Sequence, residues 1–210
     1  MTSTESITLE APDPTAADAF YTDAFGLGAL VQVRPSDTPA TGFRGFTMSL
    51  VVSQPSTAEN LIGAALDCGA TSLKPAATSF WGYGGVVCAP DGAIWQVATS
   101  SKKDSGPATR QIDDVVLLLG VADVKASKRF YVEQGMAVGR SFGSKYVEFA
   151  KPLSDIQFAL YGRRALAKTA GVPSEGTGSH RLVVEADAGP FADPDGFAWE
   201  PAPATVARAA

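Results

Sequence analysis

Residues Ala11–Gly28, APDPTAADAFYTDAFGLG, return as Gly120–Gly139, GVADVKASKRFYVEQGMAVG, and Ala89–Gln96, APDGAIWQ, return as Asp193–Glu200, DPDGFAWE. Setting Asp13 on Asp123 puts Tyr21 on Tyr131, so each copy opens with a strand, an acidic turn and a helix carrying Phe-Tyr. Before the first helix, Ser6–Ala11 alternates: Ile7, Leu9 and Ala11 share one face and Ser6, Thr8 and Glu10 the other, as in a half-buried strand. Asp13 can accept the free amides of a helix over 14–25, Pro14 suits its first position, and Gly26 and Gly28 end it. FTMSLVVS, from Phe46, reads as a strand, STAENLIGAALDCGA as an amphipathic helix capped by Ser56 and stopped by Gly69, and GGVVCAPDGAIWQVAT as a hairpin.

In the second copy Val115, Leu117, Leu119 and Val121 take the helix-facing positions, and the opposite face, Val116, Leu118 and Gly120, is also apolar. YVEFA, IQFALYG and HRLVVEAD follow as strands, and the chain then passes almost directly into the Asp-Pro-Asp-Gly turn with no second helix. Spacings show compensating edits: Asp13 to Arg44 is 31 residues against 57 from Asp123 to His180, whereas Arg44 to Trp95 is 51 against 19 from His180 to Trp199. The first copy lacks a hairpin-sized piece and the second a helix-sized piece. The polar stretch 100–110 is the linker, giving a first module over 1–99, a second over 111–202 and a tail over 203–210.

The chain has 210 residues, 45% hydrophobic and 19% charged, enough to bury a core. A net charge of -5 disfavours nucleic acid and anionic membranes as partners, since both reward Lys and Arg clusters. No stretch reaches the roughly 18 consecutive apolar residues of a membrane helix, and the N-terminus has no leader pattern, so the expectation is a cytoplasmic protein. Cys68 and Cys88 lack metal-type spacing and read as reduced structural thiols.

At FYTDAFGLG, FWGYGGVVCAPDGAIWQVA, RFYVEQGMAVG and FADPDGFAWE the chain resembles the vicinal oxygen chelate superfamily, which contains glyoxalase I, bleomycin-resistance proteins and extradiol dioxygenases. The resemblance implies an α+β fold of two tandem βαβββ modules paired face to face around a cleft, the second lacking its second helix. It also implies a divalent metal held by a His or Gln on the first strand and a Glu after the Asp-Pro-Asp-Gly turn. Carried over by position, the first-strand ligand falls on Ser6 and Val116, and the last-strand ligand on Gln96 and Glu200. Only Glu200 matches, and a transition metal needs three or four convergent nitrogen, sulfur or carboxylate donors. The expectation is therefore no metal and no other cofactor; an oxygen-only magnesium or manganese site from Ser6, Glu10, Gln96 and Glu200 is the alternative.

With that resemblance, Glu200 is the candidate acid or acceptor of the cleft, and His180, the lone histidine, is either a hydrogen-bonded structural residue or a proton carrier opposite it. SFWGYGG supplies Phe80, Trp81 and Tyr83 for stacking on a planar ligand. Ser6, Thr8, Glu10, Met48, Gln96, Val116 and Leu118 complete the expected lining, with Arg44, Arg129, Tyr146 and Tyr161 as further polar-tipped candidates. The function this implies is binding of a small aromatic or amphipathic metabolite or antibiotic by a monomer or homodimer. The alternatives are a glyoxalase-type lyase, isomerase or dioxygenase with Glu200 as base, and a scaffold with a filled interior.

Overall fold

The computed structural model describes residues 4–28, 30–151, 154–187 and 189–202; the expected tail over 203–210 lies outside them. The first half runs β1 (Thr4–Ala11), α1 (Pro14–Phe25), β2 (Val31–Pro35), β3 (Ala40–Gly42), β4 (Phe46–Val51), α2 (Pro55–Asp67), β5 (Thr71–Ser79), β6 (Gly82–Cys88) and β7 (Ile94–Thr99). The second runs β8 (Asp114–Val121), α3 (Val124–Glu133), β9 (Val138–Phe142), β10 (Tyr146–Phe149), β11 (Ile156–Gly162), α4 (Arg163–Ala170), β12 (Gly176–Gly178), β13 (Leu182–Ala186), β14 (Phe191–Ala192) and β15 (Ala198–Pro201). Among these helices none is long and apolar enough to cross a membrane.

The repeat governs the caps. Asp13 accepts from the Ala16 N–H, and Asp123 accepts from the Lys125 and Ala126 N–H groups, so each equivalent helix starts on the same carboxylate. α2 departs from expectation: its N-cap is Gln54, not Ser56, and the Ser56 N–H is bound instead by Asp104 of the linker at 2.8 Å. The Gln54 amide grips the linker further, accepting from Ser105 N–H and donating to the Pro107 carbonyl, so 100–110 is stapled down along α2.

Strand order shows how the halves combine. The eight-stranded sheet is β5-β6-β7-β4-β8-β11-β10-β9, the five-stranded sheet β14-β15-β13-β1-β2, and β3 pairs with β12 in a small ribbon. Within the larger sheet, β4-α2-β5-β6-β7 and β8-α3-β9-β10-β11 are each a complete βαβββ unit, the first strand lying parallel beside the last. They meet edge to edge through the antiparallel β4–β8 pair. The smaller sheet joins two shortened units, β1-α1-β2 and β13-β14-β15, through the antiparallel β1–β13 pair. Each half of the chain therefore holds two units, not one module, and pairs both of them with the other half. The first half's short unit lacks a hairpin, and between β13 and β14 only four residues, 187–190, stand where the first half has α2.

The expected α+β fold is the one observed, and its two sheets share one core. Ile7, Leu9, Val184 and Trp199 of the smaller sheet and Met48, Leu50, Trp95 and Leu117 of the larger one belong to a single buried cluster, so the sheets turn their apolar faces toward each other and fill the space between. The helices lock the two together. Tyr21 of α1 lies against Trp95 of the larger sheet (ring centroids 5.3 Å apart), and Tyr131 of α3 lies against Trp199 of the smaller one (5.4 Å). Burying rings of this size stabilises the fold by roughly 1.5–3 kcal/mol each. Both free cysteines, Cys68 and Cys88, are half-buried, and burial pushes the Cys88 thiol up.

α4 is the helix missing from the sequence reading, which also left β2, β3, β5, β9 and β12 unassigned. RRALAKTA has good helix formers and ends on Gly171 in the left-handed region (φ 82°), which suits a C-cap. The helix folds back onto the side of the eight-stranded sheet that looks away from the shared core: Leu166, Ala167 and Ala170 pack on Val86 and Ile94, with Leu118 and Tyr161 against the same cluster. Gly120 permits the approach, since a Cβ there would lie 3.2 Å from both Arg163 Cα and Leu166 Cδ2.

Candidate functional site

On the outward face of the eight-stranded sheet, register aligns one residue from each of the four central strands. Ser49 of β4 lies between Gln96 of β7 and Val116 of β8, and Val116 lies beside Gln157 of β11. This row joins the first and last strands of both complete βαβββ units. The Gln157 amide is turned back to donate to the Phe149 and Phe158 carbonyls, and α4 covers Leu118 one step along the strand. α4 is itself tied down by Lys74 of β5, whose ammonium donates to the Lys168 and Thr169 carbonyls at 2.8 and 2.6 Å, the helix end that favours a cation.

Beside α4 a groove of about 280 Å³ remains, with Gln96, Ala98, Gly84 and Val86 on the sheet side, Thr169 at the helix and Trp81 at the mouth. Phe80 and Trp81 occupy the β5–β6 turn and are each 82% exposed, edge to face at 5.0 Å, with the Lys102 ammonium 5.8 Å from the Phe80 ring centre. Four expected lining residues lie elsewhere: Ser6, Thr8 and Glu10 on the smaller sheet and Met48 in the core. Met48 is fully buried on the core side of β4, because strand alternation puts it opposite Ser49. Tyr83 borders the groove but its hydroxyl donates to Glu59 of α2 at 2.6 Å; that bond to a carboxylate pushes its ionisation up to about 12.

The smaller sheet carries the acids. Glu185 of β13 is 7% exposed and accepts from the Ser6 and Thr8 hydroxyls of β1, the latter at 2.6 Å. Register sets Glu185 beside Glu200 of β15, as Ser49 lies beside Gln96 in the other sheet. Arg34 of β2 spans the remaining acids: Nε lies 2.9 Å from Glu10 and Nη1 lies 3.2 Å from both Glu200 oxygens. Partial burial works against the Arg34 charge, but these two carboxylates outweigh it and raise its ionisation above the ordinary value. Glu200 is thus no desolvated, isolated base: its side chain is 44% exposed and already paired. His180 is held apart from it, one ring nitrogen facing the Arg44 carbonyl and the other 3.1 Å from the Asp195 carbonyl, with the ring stacked on Phe197. That arrangement is structural, joining the loop before β4 to the Asp-Pro-Asp-Gly turn.

The four positions to which the resemblance carries metal ligands therefore fall on two separate faces, Gln96 and Val116 on one, Ser6 and Glu200 on the other, and the oxygen set Ser6, Glu10, Gln96 and Glu200 does not converge. Neither row fits a transition metal. One offers two amides, a hydroxyl and a valine; the other offers two carboxylates already engaged by Arg34 and by the Ser6 and Thr8 hydroxyls. Among the described residues no group of three or more His, Cys, Asp or Glu side chains is disposed to hold an ion.

The chain matches no protein-family model and no curated protein sequence. Solved structures do match. Glyoxalase I from Zea mays superimposes with a TM-score of 0.61 at 15% identity, covering 95% of this chain and 91% of that one. A putative dioxygenase from Bacillus subtilis subsp. subtilis str. 168 gives a TM-score of 0.53 at 12% identity, covering 87% and 69%. The fold is that of the vicinal oxygen chelate superfamily. At these identities the likeness concerns the fold alone.

Proposed function

We propose that the chain binds a small aromatic or amphipathic molecule, a metabolite or an antibiotic, in the groove beside α4, without a metal ion. The observation that carries this reading is the exposed Trp81, with Phe80 edge to face against it, at the mouth of a groove whose sheet side presents Gln96. An exposed aromatic pair costs solvation that a stacked ligand recovers, and the amide supplies one directional hydrogen bond. Among the described residues of the groove lining Lys74 alone is charged, and its ammonium is held by the Lys168 and Thr169 carbonyls, which favours neutral ligands. A glyoxalase-type lyase with Glu200 as base has less behind it, because that half-exposed carboxylate is already paired with Arg34.

A thermal-shift screen of aromatic metabolites and antibiotics, run with and without a chelator, tests the reading. A ligand of the native state raises the melting temperature by mass action. The expected result is a concentration-dependent rise that the chelator leaves unchanged; a rise that chelator abolishes, or none across aromatic compounds, overturns it.

A further inference from the structure

Gln96 and Gln157 hold corresponding places in the outward row, each on the last strand of a complete βαβββ unit. The Gln157 amide is spent inside the protein, on the Phe149 and Phe158 carbonyls. The Gln96 amide has no hydrogen-bond partner among the described residues, and it lies in the lining of the groove. A carboxamide carries a donor and an acceptor side by side. Left free in a groove, it presents both to a ligand at once.

The sheet beside Gln96 is shaped for a flat molecule. Val86 of β6 pairs with Gln96, and two residues on, on the same face, Gly84 pairs with Ala98 on one side and with Ala77 of β5 on the other. A Cβ at Gly84 would lie 2.5 Å from the Val97 carbonyl oxygen and 3.0 Å from Ala98 Cβ, so the middle of this low row stays bare. At its far end the Ser79 hydroxyl accepts from the Trp81 N–H at 3.2 Å and donates to the Gly82 carbonyl at 3.3 Å, which fixes the turn that carries the exposed indole. From Val86 to Gly82 the backbone runs about 13 Å at the rise of a strand. Trp81 and Gln96 both line the groove, and the space left between their side chains suits a pair of fused rings.

On the binding reading of this groove, we propose that its ligand class is a neutral bicyclic aromatic lactam, a ring edge that sets an N–H beside a C=O, fused to a second ring that stacks on Trp81. The lactam N–H donates to Gln96 Oε1 while the lactam C=O accepts from Gln96 Nε2, the paired geometry by which a Gln side chain reads the edge of a nucleobase. Neutrality follows from Lys74, the charged residue of the lining, whose ammonium is already engaged by the Lys168 and Thr169 carbonyls. A ring that keeps the C=O and lacks the N–H leaves Gln96 Oε1 covered and unpaired, and a site that bonds both groups rejects such an analogue strongly.

Calorimetric titration and tryptophan fluorescence with carbostyril, a bicyclic lactam, and with N-methylcarbostyril, which keeps the carbonyl and loses the donor, test this on the wild type and on Gln96→Leu. The expected result is that carbostyril quenches the wild type and binds at least about tenfold more tightly than its N-methyl derivative, and that the gap shrinks to within about twofold in Gln96→Leu, where neither compound can pair. A gap that persists in Gln96→Leu overturns the proposal, because it then comes from the added methyl and not from the amide. Equal wild-type affinities, with quenching that Trp81→Phe removes, overturn the lactam class and leave the groove reading standing. Binding of neither compound also overturns the lactam class, and the thermal-shift screen then decides the groove reading separately. If Gln96→Leu does not fold, Gln96→Met takes its place with the same expected outcome, and if neither folds the wild-type comparison decides.

Discussion

Asp193 carries its carboxylate into a closed corner, where burial raises its ionisation although the Tyr131 hydroxyl and the Phe197 N–H pull the other way. With the folded value above the unfolded one, near 3.8, the native state binds the proton more tightly, so the charged form costs stability at neutral pH and the cost is relieved as pH falls through the folded value. Denaturant melts of wild type and Asp193→Asn should therefore show the wild type gaining on the variant between pH 7 and pH near 4; a relative loss would contradict the burial argument. Glu185 makes a second residue-scale case. Glu185→Ala leaves the Ser6 and Thr8 hydroxyls without their acceptor and should cost about 1–3 kcal/mol, whereas Ser6→Ala, Thr8→Val and Glu185→Leu together should recover most of that, because matched apolar replacement removes the unpaired groups as well. Equal losses in both variants would show that the hydroxyl bonds do not matter. The face alternation of HRLVVEAD was visible in the sequence, but the partners of Glu185 were not: Ser6 lies 179 positions away, and nothing local encodes a β1–β13 pairing.

At the scale of elements, β1, β4, β6, β7, β8, β10, β11 and β13 and the two Asp-capped helices were legible because alternation, a capping carboxylate and glycine stops are local signals, whereas β2, β3, β5, β9 and β12 carry no such alternation. α4 escaped because one leucine and two alanines make a short, weak apolar stripe, and because its partner surface, Val86, Ile94 and Leu118, comes from strands of both halves. That omission mattered for the site, since Leu118 is covered by the helix instead of open to a ligand. Gly120→Val should displace α4: its Cβ would fall 2.9 Å from the Gly45 carbonyl as well as against the helix, and overpacking of this kind costs about 1–3 kcal/mol. Leu166→Ala, which only empties space under the helix, should cost about 2–4 kcal/mol by chemical denaturation. A melting temperature unchanged by both would mean that α4 is not docked on the sheet.

For the whole molecule, the duplication was readable and the pairing was not. Local sequence shows two similar halves, but whether each half closes on itself or exchanges units is fixed by the β1–β13 and β4–β8 edges, which join positions far apart in the chain. Fragments 1–104 and 105–210 should each fail to give a dispersed NMR spectrum alone and should give one when mixed; an independently folded fragment would contradict the crosswise pairing. The proposed binding site follows the same geometry: the apolar faces are spent on the common core, and the groove beside α4 lies on the outward face. Trp95 and Trp199 are buried, so Trp81 is the tryptophan that a ligand in this groove can reach. The most direct measurement is a fluorescence titration of chelator-treated protein with a compound that raises its melting temperature. The account predicts saturable quenching that disappears in Trp81→Phe, with an affinity weakened about tenfold, or roughly 1.4 kcal/mol, in a folded Gln96→Ala variant. Quenching that requires added metal, or an affinity that neither substitution alters, would contradict it.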